Sequence, residues 1–126
     1  LFVSSLFFLL ALIQLYKLCV KLGFDGIYSL LITLATMAGG RLLWSSLSGM
    51  EITLFVLLSV LIFSGHLKEI TTGKVSLLTG LLLGIAANTR PETYLLAGLY
   101  YLTSLFFIRT KLKGNFPKLI LSGIIF

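Results

Sequence analysis

The sequence predicts an all-α protein: a polytopic bundle of about five transmembrane helices with a truncated sixth. Three observations predict it. The 126 residues are 58% hydrophobic and only 11% charged, with a mean hydropathy of +1.09, outside the balance of a soluble globular domain. The apolar residues fall into runs parted by short polar connections, a spacing that suits antiparallel helix hairpins. The basic residues alternate between crowded connections and nearly empty ones.

The first run, Leu1 to about Tyr16, lacks a basic leading segment and a small-residue cleavage site, so it reads as a span and not as a signal peptide. The second, Ile27 to Trp44, carries Ala35 and Gly39, a small-xxx-small pair that allows close helix approach. Ile52 to Gly65 forms the third run, preceded by "SSLSGME". Val75 to Ala87 forms the fourth, with Gly80 and Gly84 as a GxxxG. The fifth, Tyr94 to Ile108, follows "NTRPE", and a sixth begins near Leu119. With no initiator Met and an apolar run at each end, residues 1–126 are expected to be one transmembrane segment of a longer protein, incomplete at both ends.

Alternation of the runs sorts the connections into two sets. One holds Lys17, Lys21, Lys68, Lys74, Arg109, Lys111, Lys113 and Lys118; the other holds only Arg41 and Arg90. The rule that positive loops stay inside assigns the first set to the cytoplasm, and with it the net charge of +6 needs no nucleic acid. "SSLSGME" and "NTRPE" then share the outer face. Trp44 and Tyr94 at the outer ends, with Tyr16 and Tyr28 at the inner ends, match aromatic interface belts.

Several runs are shorter than the roughly 20 residues a span needs. Extending the third helix back to Ser48 and the fifth back to Pro91 brings Glu51, Arg90 and Glu92 to the hydrocarbon edge or within it. Such groups avoid lipid and face a bundle interior or a water-filled hollow. Two helix N-termini, Arg41, Arg90 and two carboxylates would converge there, a setting for phosphate or another anion. Arg90 can hold a phosphate bidentately, and a nearby carboxylate can orient Arg90, accept a proton or hydrogen-bond a sugar.

Structural roles compete with each of these readings. Ser48-x-x-Glu51 and Thr89-x-x-Glu92 both fit a capping box, with Pro91 at an early helical position. Arg41 can snorkel outward or pair with Glu51. Asn88 serves as a ligand-binding amide or as a helix C-terminal cap, and His66, beside Lys68 and Glu69, reads as a solvated loop residue. The single cysteine, Cys19, allows neither an internal disulfide nor a cysteine-built metal site. There is no His cluster, P-loop, GxSxG or nucleotide-binding glycine fingerprint.

"SGMEITLF", followed by "GLLLGIAANTRPETYLL", resembles the SGMET-x-LF … G-L-x-x-x-TRPE pattern of bacterial GT-C glycosyltransferases related to arabinofuranosyltransferases and polyprenyl-phosphate mannosyltransferases. The resemblance covers roughly residues 40–100. It implies a GT-C-like bundle in the bacterial inner membrane that moves a sugar from a polyprenyl-phosphate donor to a glycan, lipid or protein acceptor on the periplasmic face. It carries Glu51, Arg90 and Glu92 over as substrate-binding residues, Arg90 on the donor phosphate, with Arg41 nearby. The catalytic base it implies is an acidic residue in an outer loop upstream of this chain, and a divalent metal is expected, if anywhere, in the full-length protein. Ile52 stands where the pattern has Thr, so no role passes to Thr53.

Two other classes remain open at this point. The same charges would line the path of a transporter or flippase for an anionic or lipid-linked substrate. A non-catalytic scaffold subunit would use both glutamates only as caps.

Overall fold

In a computed structural model, the described residues are 2–40, 44, 51–108 and 116–125, and they are helical with no strand. The helices are α1 (Phe2–Lys21), α2 (Gly26–Met37), α3 (Ile52–Thr72), α4 (Leu77–Thr89), α5 (Thr93–Ile108) and α6 (Phe116–Ile125). The chain divides into two compact units, Leu1–Val60 and Leu61–Phe126.

Two helices, α1 with 20 residues and α3 with 21, are long and apolar enough to cross a membrane. At about 1.5 Å per residue each reaches about the 30 Å of a hydrocarbon core. Of the five expected spans these two have the length, while α2, α4 and α5 are apolar but shorter. The difference arises at the helix ends. Backbone geometry, and not the first polar residue, terminates α1 and α3, so α1 continues past Tyr16 and α3 past Gly65. Gly23 takes φ 94°, the Gly23 N–H reaches Val20 O at 3.0 Å and the Phe24 N–H reaches Cys19 O at 3.2 Å, which is a Schellman closure. Gly73, with φ 68°, closes α3 by donating to Glu69 O at 2.7 Å. The second run instead stops early: α2 ends at Met37, before the paired Gly39 and Gly40 that weaken helix continuation.

In the first unit α1 packs on α2, which starts at Asp25, whose carboxylate accepts from the Gly26 N–H at 2.8 Å. Phe8, Ala11, Cys19, Leu57 and Leu58 are buried, and the buried Ser4 and Thr53 hydroxyls meet at 3.0 Å, tying α1 to the first turn of α3. Other hydroxyls turn back on their own helix, Thr33 to Ser29 O and Thr36 to Ile32 O, each at 2.8 Å. Ala35 of the expected small-residue pair is exposed.

In the second unit α4 packs on α5 and α6. A Cβ placed on Gly80 would fall on Ser122, 3.0 Å from its carbonyl oxygen, so glycine sets the α4–α6 separation. One on Gly65 would come 2.9 Å from Thr79 Oγ1, so α3 approaches α4 equally closely. The interior is small or polar in large part, with Ala86, Ala97, Thr79, Thr93, Ser104 and Ser122 buried. Phe63, Leu78, Leu95, Leu102, Phe106 and Ile124 point outward.

Candidate functional site

Arg90 lies at the corner between α4 and α5. The corner is stitched at one carbonyl: Ala86 O accepts the Arg90 N–H at 3.0 Å, the Thr89 hydroxyl at 2.7 Å and the Thr93 hydroxyl at 2.9 Å. Thr89 therefore belongs to the last turn of α4 and does not cap α5, which corrects the second capping-box reading. Asn88 takes the helix-terminal of its two readings, donating to Gly84 O at 3.0 Å. Pro91 sits at the entry to α5, where successive amides of Thr93, Tyr94 and Leu95 bond back to Arg90, Pro91 and Glu92, each at 3.1 Å.

This frame brings two of the sequence-derived site residues together. The Arg90 guanidinium stands 3.7 Å from the Glu92 carboxylate, with the arginine side chain 35% exposed and the glutamate 61%. An exposed pair of that length contributes little stability, about 0–1 kcal/mol. It sets one carboxylate beside a guanidinium whose side chain is partly exposed. Glu51 lies in the other unit, exposed, in the turn that opens α3, its carbonyl accepting the Phe55 N–H at 3.1 Å. Arg41, and the Ser48 of the first capping box, lie outside the described residues. Thr53, given no role by the motif, is a buried packing hydroxyl.

The most heavily bonded charge is one the apolar-run reading left in a loop. Glu69 lies on α3, 5% exposed. Its Oε1 accepts the Ser76 N–H at 2.8 Å and the Thr79 hydroxyl at 2.7 Å, and its Oε2 accepts the Tyr100 hydroxyl at 2.8 Å. One carboxylate thus joins α3, the N-cap of α4 and the middle of α5. His66, expected to be solvated, is a half-buried helical residue with Nε2 2.9 Å from Thr103 Oγ1 and its ring edge-on to Tyr100 at 4.8 Å. The signal was present in the helical spacing. Leu58, Ile62, Gly65 and Glu69 repeat every three or four residues, so the buried face runs straight through the polar end of α3.

Beside the cluster is a groove of about 240 Å³ lined by Ile62, Phe63, His66, Leu96, Leu99, Tyr100 and Thr103. No group of three or more His, Cys, Asp or Glu that could hold a metal ion occurs among the described residues.

The architecture defines an all-helical protein with two helices able to cross a membrane. Compared with protein-family models, with curated proteins and with solved structures, the chain matches none.

Proposed function

We propose that this chain is part of an integral-membrane glycosyltransferase of GT-C type, in which the Arg90 corner binds the phosphate of a polyprenyl-phosphate sugar at the outer, periplasmic face of a bacterial inner membrane. The observation that carries the reading is the Arg90–Glu92 pair, a guanidinium held at 3.7 Å by one carboxylate on a corner fixed through Ala86 O. Two long apolar helices, and large apolar side chains turned outward over a small and polar interior, support the membrane setting.

In the reaction an acceptor hydroxyl oxygen bonds to the anomeric carbon as the bond from that carbon to the phosphate oxygen breaks. The electron pair leaves with polyprenyl phosphate, and the hydroxyl proton passes to a base outside this chain. Negative charge grows on the departing phosphate oxygen, where Arg90 stabilises it. Glu92 keeps the guanidinium oriented, and Glu51 is assigned to sugar or acceptor contact.

The test uses membranes holding the full-length parent with labelled polyprenyl-phosphate sugars, and compares wild type, Arg90→Ala and Glu51→Gln at equal protein levels. Loss of donor-dependent transfer in both variants supports the donor site. Undiminished transfer in both reduces these residues to helix caps and ion-pair partners and overturns the assignment.

A further inference from the structure

Both described carboxylates of the second unit are already engaged. Glu69 is buried with its oxygens filled by the Ser76 amide and by the Thr79 and Tyr100 hydroxyls, and Glu92 stands beside Arg90. Three cations of the unit, Lys68, Lys74 and Lys118, are exposed and have no ion-pair partner among the described residues. The packing places them near one level. Lys68 directly precedes Glu69, and Lys74 lies two residues before Ser76, whose amide bonds to Glu69 at 2.8 Å. Ser122 packs against Gly80 and lies 3.4 Å from the Tyr101 hydroxyl, each of these residues following one that bonds to Glu69, Thr79 and Tyr100. Lys118 is one turn before Ser122, so at about 1.5 Å per residue it lies about 6 Å along α6 from that level.

The surface beside these lysines is apolar and uncovered. Leu77 and Leu78, 40% and 62% exposed, follow Lys74, and Ile120 and Leu121, 52% and 45% exposed, follow Lys118. Charge gives way to apolar surface within about one helical turn, so a lysine stem can lie along that surface with its ammonium raised to the edge. A soluble anion would meet the lysines and leave the leucines in water. A phospholipid meets both, and one of net negative charge brings a phosphate that no ammonium of its own headgroup neutralises. We propose that Lys68, Lys74 and Lys118 form a binding surface for anionic phospholipid, the ammonium groups meeting headgroup phosphates while the neighbouring leucines and isoleucine meet the acyl chains. The surface concerns the opposite end of α4 from the Arg90 corner. It needs the membrane setting and stands apart from the glycosyltransferase reading.

The test titrates the full-length parent, in non-ionic detergent, with phosphatidylglycerol or with phosphatidylcholine of identical chains, and counts the lipids retained by native mass spectrometry. A lysine near an anionic lipid surface is worth about fivefold in affinity, so three give a preference for phosphatidylglycerol of about a hundredfold. Lys68→Gln, Lys74→Gln and Lys118→Gln should each lower that preference about fivefold, and the triple variant should bring it close to parity. The three positions are exposed, so the glutamine variants keep the fold, and the triple arginine variant should keep the preference because it keeps the charge. Added salt should narrow the preference through screening. Equal retention of both lipids by wild type, or a preference that survives the triple glutamine variant, overturns the proposal. Displacement of phosphatidylglycerol by inorganic phosphate also overturns it, since the surface would then be a site for a soluble anion.

Discussion

Replacing Glu69 with leucine removes the acceptor on which three helices depend while keeping similar bulk at the site. Three donors lose their partner: the Ser76 N–H, the Thr79 hydroxyl and the Tyr100 hydroxyl, now bonded at 2.8, 2.7 and 2.8 Å. They do not lose equally. Thr79 lies within α4 and can turn its hydroxyl to its own helix, as Thr33 and Thr36 do in α2, so its share is small. Ser76 is only half-buried and its amide finds water at the low end of the range, about 1 kcal/mol. Tyr100 is 3% exposed, and its stranded hydroxyl costs about 1–3 kcal/mol. Relief of a buried, desolvated carboxylate offsets part of this. The balance is a destabilisation of about 2–3 kcal/mol, near a hundredfold in the unfolding equilibrium. Equilibrium unfolding of detergent-solubilised protein measures it, with amide exchange at Ser76 as the local readout. A Glu69→Leu protein as stable as wild type, with the Ser76 amide equally protected, would show that the carboxylate fastens nothing.

Two glycines of the second unit should respond to alanine with opposite signs. Gly98 has open space where a Cβ would go, so Gly98→Ala should stabilise by about 0.5–1 kcal/mol through helix propensity alone. Gly80→Ala meets Ser122 and should destabilise by roughly 1–2 kcal/mol net, because the overlap exceeds that gain, and the same unfolding assay reads both variants. Gly73→Ala forces a side chain into the φ 68° that closes α3 and should cost about 1 kcal/mol, seen as a lower melting temperature. Arg90→Lys keeps the charge but loses the planar fork, so donor-dependent transfer by the full-length parent should drop about tenfold or more while protein levels hold; full activity would show that a point charge suffices.

Helix existence and order were legible in the sequence because apolar runs of this length leave few alternatives. The ends were not, and the reason is physical. A helix stops where its backbone is closed, at Gly23 and Gly73, so the polar residues Lys17, Lys21, His66, Lys68 and Glu69 all ride on helices that a hydropathy reading cuts short. Burial of Glu69 followed from that extension, since once α3 continues, its three-to-four-residue spacing delivers the carboxylate to the packed face. At the Arg90 corner the Arg90–Glu92 pairing was readable from sequence proximity, whereas Thr89 was misassigned because Thr-x-x-Glu suits both a helix start and a helix end followed by a turn. The competition for Ala86 O decides between them, and no local pattern displays it.

The two charged clusters differ in what they leave over for a ligand. Glu69 has both oxygens occupied by three donors under 3 Å, with His66 alongside, and it is buried; such a group fixes helices. Arg90 brings five N–H donors, and among the described residues its guanidinium has one recorded partner, Glu92 at 3.7 Å, beyond good hydrogen-bond length. Its side chain is partly covered and its backbone is held at both sides of the corner, so binding an anion would order little that is not already ordered. Unfilled hydrogen-bonding capacity on a fixed frame is what an anion site requires. By that criterion Arg90, although it adds little to stability, is the better candidate for ligand chemistry, and the more strongly bonded Glu69 is the better candidate for holding the helices that carry it.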